Sequence, residues 1–251
     1  MSKFKMVIAY DGTDFAGFQR QPGQRTVQGV LEETLTRITR RPVAVTGAGR
    51  TDAGVHALGQ VTHFESDCPI PFNRWVRVVN DGLPRDLQAK KVEPAAPGFH
   101  ARKDAYWKRY RYTLDTNRVP NLFCRRFRTP FPRRLELNPM RQAARYLVGT
   151  HDFTSLSAAR AQVEHRVRTL YHCDVSEDEP GIFTIQVVGD GFLYHMVRIL
   201  AGTLVEVGLG KRPPDDIPRI LSAKDRSVAG KTLPPDGLVM MEVGYTPWQG
   251  M

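Results

Sequence analysis

Cysteine is scarce in this sequence, and no cysteines are arranged as a metal or disulfide motif. The three that occur, Cys68, Cys124 and Cys173, lie far apart in the chain, and no CxxC pair is present. This spacing supports neither a zinc site nor a disulfide framework. Because such usage is typical of a reducing compartment, we expect a cytoplasmic protein.

Long apolar runs are missing as well. No stretch approaches the roughly 18 apolar residues of a membrane-spanning helix, and the apolar run within "MSKFKMVIAYDG" is too short for a signal peptide. We therefore expect a soluble chain with no targeting segment and no membrane contact. With 251 residues, 41% of them apolar, it can bury the core of one large domain or of two smaller ones.

Acidic residues are few compared with basic ones. The chain has 26 Asp and Glu against 36 Lys and Arg, which gives a net charge of +10, and only nine of the basic residues are lysine, which leaves 27 arginines. The planar guanidinium group holds phosphate at two points, so the composition favours a polyanionic partner such as a nucleic acid. A basic surface that serves only solubility is the alternative.

Hydrophobic periodicity predicts the same order of elements in both halves of the chain. In the first half we expect a strand (3–10), a helix capped by Thr26 and ended by Pro42, two strands (42–47 and 59–65), a short helix (71–84) and a strand (87–93). After the linker "EPAAPGFHARKD" we expect a strand (105–115), a helix (139–149), two strands (165–176 and 181–189), a helix (192–208), a short extra helix (215–224) and a strand (237–245).

This order predicts an α+β fold of two pseudo-duplicate β-α-β-β-α-β (ferredoxin-like) halves with mostly antiparallel sheets. We place the domains at 1–104 and 105–251 and expect an active-site cleft between them. The first domain would carry the loop of a catalytic Asp, and the second a strand with a functional Tyr and a helix with a functional Arg.

The loop "GAGRTDAGVHA", residues 47–57, holds one carboxylate among three glycines. Glycine lets a ligand approach the backbone closely, which indicates a binding function near Asp52. The loop lacks the GK[ST] ending of a P-loop, and Asp52 stands where a dinucleotide-binding loop has its third glycine. A tight turn in which Asp52 hydrogen-bonds its own backbone is the alternative.

Arg198 lies in the apolar helix "FLYHMVRILAGTLVEVGLG", residues 192–210. Because a buried unpaired guanidinium is costly, it needs a partner, and Asp52 from the other half is the candidate. Such a pair would lower the pKa of Asp52 and keep it ionised. Alternatively, Arg198 contacts a carbonyl group or Glu206.

The strand "DAYWKRYRYTL", residues 104–114, alternates aromatic and cationic side chains. This pattern is typical of surfaces on which extruded bases stack, although cross-strand tyrosine pairs give a similar pattern. The run "CRRFRTPFPRR", residues 124–134, extends the basic surface. His56 and His195 lack metal-ligand spacing and are expected to make local hydrogen bonds. We expect no metal and no cofactor, nucleotides included.

Together these features indicate chemistry on a flipped base. The motif "GAGRTDAGVHALGQV", with "YDGTDFAGFQRQ", "KRYRYTL" and "GDGFLYHMVRILAGTLVEVGLGK", closely resembles tRNA pseudouridine synthases of the TruA family. The resemblance implies an isomerase that converts uridine to pseudouridine at positions 38, 39 and 40 of the tRNA anticodon stem-loop and works as a homodimer without a cofactor. A pseudouridine synthase for another RNA and a non-catalytic RNA-binding protein are the alternatives.

The resemblance also implies roles for four residues. Asp52 matches the catalytic aspartate and Arg198 its basic partner, while Tyr110 matches the tyrosine that stacks on the substrate base and Arg50 a residue that helps to extrude it. The chain departs from the family pattern at two positions: it has Phe18 where many relatives have Trp, and Ile199 where Asn is common. We expect little effect from the first departure and the loss of a hydrogen-bonding side chain near the site from the second.

Overall fold

The computed structural model describes residues 1–158 and 165–250, which form two units. The first comprises Met1–Tyr106 and Met240–Thr246, and the second comprises Trp107–Val239 and the residues from Pro247 onward. The domains 1–104 and 105–251 remain a prediction. The units differ from it in that Met240–Thr246, which it gives to the second half, group with the first unit.

The first unit is an antiparallel sheet with two helices. Its elements are β1 (Ser2–Tyr10), α1 (Val27–Thr39), β2 (Thr46–Gly47), β3 (His56–Ser66), α2 (Trp75–Gly82) and β4 (Leu87–Pro94). Both β3 and β4 pair with β1 in antiparallel fashion, and β2 pairs with β3. The strand order is therefore β4-β1-β3, with the end of the last strand of the chain next to β3.

Alternation along β1 places one face of this sheet in the core. Phe4 is buried on β1, and its ring lies 5.2 Å from that of Phe64 and 4.9 Å from that of Trp75 on α2. Helix α1 begins where the Thr26 hydroxyl accepts a hydrogen bond from the Gly29 N–H at 3.2 Å, as expected for an N-cap. It ends at Arg40, which adopts a left-handed conformation.

The second unit repeats the element order with insertions. Its elements are β5 (Trp107–Asp115), β6 (Thr129–Pro130), α3 (Leu137–Arg145), β7 (Gly149–Asp152), β8 (Val167–Glu179), β9 (Ile182–Gly189), α4 (Met196–Gly208), α5 (Asp216–Ala223) and the start of β10 (Leu238–Gly244). The strand order is β5-β9-β8-β7, all antiparallel, and β6 adds a short parallel pair with β5. The predicted α+β class with mostly antiparallel strands is confirmed.

Three predicted elements were wrong in extent. Of the strand predicted at 42–47, only Thr46–Gly47 forms, because the Val43 and Val45 N–H groups donate to side chains of α1 instead of a neighbouring strand. The helix predicted at 192–208 begins at Met196, since His195 has φ 59° and breaks the helical path.

The helix predicted at 139–149 spans Leu137–Arg145, and the chain then turns at Gly149, with φ 114°, into β7, which the periodicity did not predict. None of the helices in the described ranges is long and apolar enough to cross a membrane.

The capping of α1 gives a stability test. We expect Thr26→Ala to lower the free energy of unfolding by about 1 kcal/mol, because the buried Gly29 N–H loses its acceptor. Thr26→Ser keeps the hydroxyl and should retain most of the stability. Urea unfolding of the three proteins measures the difference, and equal midpoints for Thr26→Ala and the parent chain would contradict the assignment.

Candidate active site

Asp52 lies on the loop between β2 and β3, residues 48–55, here named the Asp52 loop. The loop is tied to β3 by the Ala48 N–H, which donates to the Val61 carbonyl at 2.7 Å, and by the buried Gln60 side chain, which donates to the Gly49 carbonyl at 3.0 Å. A further bond from the Val55 N–H to the Asp52 carbonyl closes the turn at 3.1 Å. The half-buried Asp52 therefore sits on a backbone with a defined path.

A second irregular segment, residues 11–18, packs against the Asp52 loop. The Phe18 N–H donates to the Thr51 carbonyl at 3.0 Å, and the Gly54 N–H donates to the Phe15 carbonyl at 3.3 Å. The Tyr10 hydroxyl at the end of β1 lies 2.8 Å from the Thr51 hydroxyl. Each loop thus satisfies backbone groups of the other, which fixes both.

Two glycines allow this close approach. A Cβ on Gly12 would lie 2.0 Å from the Val55 carbonyl oxygen, and a Cβ on Gly17 would lie 2.8 Å from that of Thr51. Gly17 also has φ +93°, a backbone conformation that other residues rarely adopt. The glycines of "YDGTDFAGFQRQ" therefore serve loop packing, and their spacing is the sequence signal for it.

Buried polar side chains complete the support of the loop. His56 Nδ1 accepts a hydrogen bond from the Gly12 N–H at 2.9 Å and lies 3.2 Å from the Asp11 carboxylate. Burial raises the pKa of Tyr10 to about 12, so its hydroxyl stays protonated at neutral pH and available for hydrogen bonding to Thr51. His56 thus makes the local hydrogen bonds expected from the sequence, and Arg50 is exposed on the loop.

In the second unit, Arg198 lies in the first turn of α4. Its Nε donates to the Leu233 carbonyl at 2.7 Å, and the Leu233 N–H donates back to the Arg198 carbonyl at 3.2 Å. Glu206 accepts a hydrogen bond from Arg212. The carbonyl contact weighed from the sequence is therefore present, while pairing with Asp52, a residue of the first unit, stays a prediction.

The segment that contacts Arg198, residues 230–233, packs very closely against α4. A Cβ on Gly202 would lie 1.8 Å from the Lys231 carbonyl oxygen, and the Gly230 N–H donates to the Thr203 hydroxyl at 3.0 Å. The sequence did not predict the role of this segment, because its local pattern does not show which helix it packs against. Ile199 is fully buried, so this departure from the family pattern falls in the core of the unit.

Tyr110 lies on β5 opposite Val187 of β9 and is only 6% exposed. Its ring packs against Phe192 in a T-shaped arrangement, with the ring centroids 4.9 Å apart and an interplanar angle of 76°. Phe192 precedes α4. It belongs to the motif "GDGFLYHMVRILAGTLVEVGLGK", but the sequence alone did not identify it as a site residue. Its contact holds the plane of the Tyr110 ring.

Tyr112, two residues further along the same face, ties β5 to the Arg198 region. Its hydroxyl donates to the Pro234 carbonyl at 2.9 Å, next to the Leu233 carbonyl that Arg198 contacts. Burial raises the pKa of Tyr112 above its ordinary value, and the positive charge of Arg198 opposes this rise. Tyr112 therefore remains a neutral hydrogen-bonding residue beside Arg198.

Comparison with known proteins identifies the family. The profile of a tRNA pseudouridine synthase family matches residues 6–102 and 143–246. This chain belongs to the tRNA pseudouridine synthase family. Members of this family are isomerases, so the predicted enzyme class and the resemblance to the family are confirmed. Among the described residues, no group of three or more His, Cys, Asp or Glu side chains could hold a metal ion.

Curated relatives of this tRNA pseudouridine synthase family match nearly the whole chain. A tRNA pseudouridine synthase A from Brevibacillus brevis is 49% identical over 98% of this chain and 100% of its own length. The enzyme of the same name from Bacillus subtilis is 46% identical over 97% and 99% of the two chains. A chain of a solved Cbf5-Nop10-Gar1 complex covers 94% of this chain and 57% of its own, at 13% identity, but its TM-score of 0.37 carries no weight.

The packing of Gly17 on the Asp52 loop can be tested with a matched glycine. We expect Gly17→Ala to release the loop, because the new Cβ would clash with the Thr51 carbonyl. Gly23→Ala places a methyl group at a similar positive φ of +69° with no atom within 4 Å, so it carries the backbone strain without the clash.

Hydrogen exchange of the Gly54 and Val55 amides measures the outcome. Both amides should exchange at least about tenfold faster in Gly17→Ala than in Gly23→Ala, because their acceptors shift with the loop. Equal protection in the two variants would show that the contact does not hold the loop.

Proposed function

We propose that this chain isomerises uridine to pseudouridine in the tRNA anticodon stem-loop, at positions 38, 39 and 40, with Asp52 as the catalytic carboxylate. The observation that carries the proposal is the fixed backbone of the Asp52 loop, which bears a half-buried Asp52 and is interlocked with residues 11–18. The family supports the reaction class, and the +10 charge supports an RNA substrate.

The reaction requires an ionised Asp52. Breaking the C1′–N1 glycosidic bond leaves positive character on the sugar, and a carboxylate can either bond to C1′ or remove the C2′ proton. In the first case the C1′–carboxylate bond then breaks, and in the second the proton returns to C2′. The rotated uracil forms a bond from C5 to C1′, and the proton lost from C5 is balanced by one gained at N1. In this proposal Arg198 pairs with Asp52 and stabilises its charged form, because an adjacent cation lowers a carboxyl pKa.

Tyr110 is proposed to stack against the detached uracil while it turns. A ring held by T-shaped packing against Phe192 suits this role, since a fixed plane limits the orientations of the base. Its hydroxyl is proposed to assist the removal of the C5 proton. Arg50, exposed on the Asp52 loop, is proposed to help extrude the base. Exclusion of water protects the sugar cation from hydrolysis.

The remaining features of the proposal follow from the family resemblance. The chain would work as a homodimer in the cytoplasm, with tRNA as its partner and no cofactor. Release of tritium from tRNA labelled at uridine C5 tests the reaction, and tRNAs that keep a single uridine at position 38, 39 or 40 test its site. Label release from another RNA only, or from none, would support one of the two alternatives instead.

The first catalytic prediction concerns Asp52. Asp52→Ala should reduce tritium release by at least about a thousandfold, because the reacting sugar loses its carboxylate. Binding of tRNA should stay within about threefold of the parent value, since affinity is spread over many phosphate contacts. Asp14→Ala removes an exposed acid from the neighbouring loop and serves as the control. Full activity of Asp52→Ala would refute the mechanism.

The second catalytic prediction concerns the guanidinium of Arg198. Arg198→Lys keeps the charge but loses the planar fork and the Nε contact with Leu233, so kcat should fall about 10- to 100-fold with little change in KM. Arg212→Lys disturbs an ion pair of the same unit and should lower stability without this effect on kcat. An unchanged kcat in Arg198→Lys would exclude a role for the guanidinium.

A further inference from the structure

A loop of the second unit exposes aromatic and aliphatic side chains among arginines. The segment between β5 and α3, residues 116–134, is here named the 116–134 loop. Phe123 is 90% exposed and Leu122 is 66% exposed at its tip. The loop carries six arginines and no acidic residue. Adjacent apolar side chains that are this exposed at the tip of one loop indicate an interaction site.

The base of this loop is fixed by a buried carboxylate. Asp115 is 2% exposed, and its carboxylate accepts hydrogen bonds from the Asn117 N–H at 3.1 Å, from the Asn117 side chain at 2.9 Å and from the Asn121 N–H at 3.2 Å. The returning strand β6 pairs with β5, and the Phe131 N–H donates to the Asp115 carbonyl at 2.7 Å.

The tip itself has a defined backbone. Asn121 caps a short helical turn through a hydrogen bond from the Phe123 N–H at 2.9 Å, and the Arg125 side chain donates to the Leu122 carbonyl at 3.0 Å. The loop is thus held at both its base and its tip while its apolar side chains point away from the core. Because preorganised groups lose less entropy on binding, this arrangement suits recognition of a partner.

The composition of the tip selects the kind of partner. Arginine forks bind phosphate, and an exposed phenyl ring stacks on any base, so together they match RNA. A second copy of this chain would bring the same excess of positive charge to the contact, which disfavours it. Arg128 is paired with Glu179 and Arg134 with Glu136, so we assign the phosphate contacts to Arg125 and Arg133.

We propose that the 116–134 loop is a tRNA-docking element in which Phe123 stacks on an unpaired base and the neighbouring arginines bind the flanking phosphates. This inference rests on the proposed function for the identity of the RNA. It assigns the loop to substrate affinity and gives it no part in bond breaking, so the variants of the loop should raise KM and leave kcat unchanged.

The test uses the full chain carrying Asp52→Ala and measures binding of unmodified tRNA at several salt concentrations. Phe123→Leu keeps an apolar side chain but removes the ring, and it should weaken binding about fivefold or more. Phe123→Tyr keeps the ring and should bind within about twofold of the parent. The double variant Arg125→Ala/Arg133→Ala should reduce the slope of log Kd against log salt by about 1.5.

The matched charge control is Arg74→Ala/Arg77→Ala, which removes two exposed arginines from the first unit. Unchanged binding by Phe123→Leu, or an equal change of slope in the control, would overturn the proposal. A change of oligomeric state in Phe123→Leu, measured by sedimentation, would assign the loop to a protein contact and overturn it too.

The measurement of tRNA binding does not depend on turnover. If the parent chain releases no tritium from tRNA while Phe123→Leu still weakens binding, the proposed function fails and the docking element stands. If the parent chain isomerises tRNA and Phe123→Leu binds normally, the docking element fails and the function stands.

Discussion

The hydrogen bonds between residues 11–18 and the Asp52 loop are the constraint on which the candidate site depends. Neither segment has regular secondary structure, so neither could hold a carboxylate in place alone. The Phe18 N–H donates to the Thr51 carbonyl, and the Gly54 N–H donates to the Phe15 carbonyl. Glycine allows the two segments to approach this closely. These backbone bonds, together with the buried side chains of Tyr10, His56 and Gln60, hold the loop on one path, which is what preorganised catalysis requires.

In the second unit, close backbone packing at a glycine also positions Arg198. There the segment near Lys231 lies against Gly202 and brings the Leu233 carbonyl to the Arg198 Nε. The buried Asp115 fixes the 116–134 loop, because its carboxylate accepts hydrogen bonds from backbone N–H groups of that loop. Close backbone packing at glycine and buried hydrogen-bond acceptors thus position each candidate functional group within its own unit. The proposed mechanism requires Asp52 and Arg198 to meet at the reacting sugar.

The sequence predicted the regular elements because their signals are local. The alternation of β1 and the Thr26 cap of α1 each depend on residues a few positions apart. The strand at 42–47 was wrong because its N–H groups bind side chains of α1, and the start of α4 was wrong because a positive φ at His195 leaves no mark in the periodicity.

Local signals also indicated the candidate site residues, whose roles stay a prediction. The glycines around Asp52 indicated a functional loop, and the apolar helix around Arg198 indicated that this arginine needs a partner. The contacts of Phe192 and Leu233 were not predictable, since they join segments that only folding brings together. Family resemblance supplied the roles that these local signals leave open.

The most direct test of the account is a crystal structure of the Asp52→Asn variant bound to an anticodon stem-loop RNA. The measured quantity is the distance from the side-chain oxygen of residue 52 to C1′ of the target uridine. The account predicts about 3.5 Å or less, with the uracil against Tyr110 and Arg198 beside residue 52. A uridine bound away from the Asp52 loop, or an Arg198 out of reach of it, would contradict the central claim.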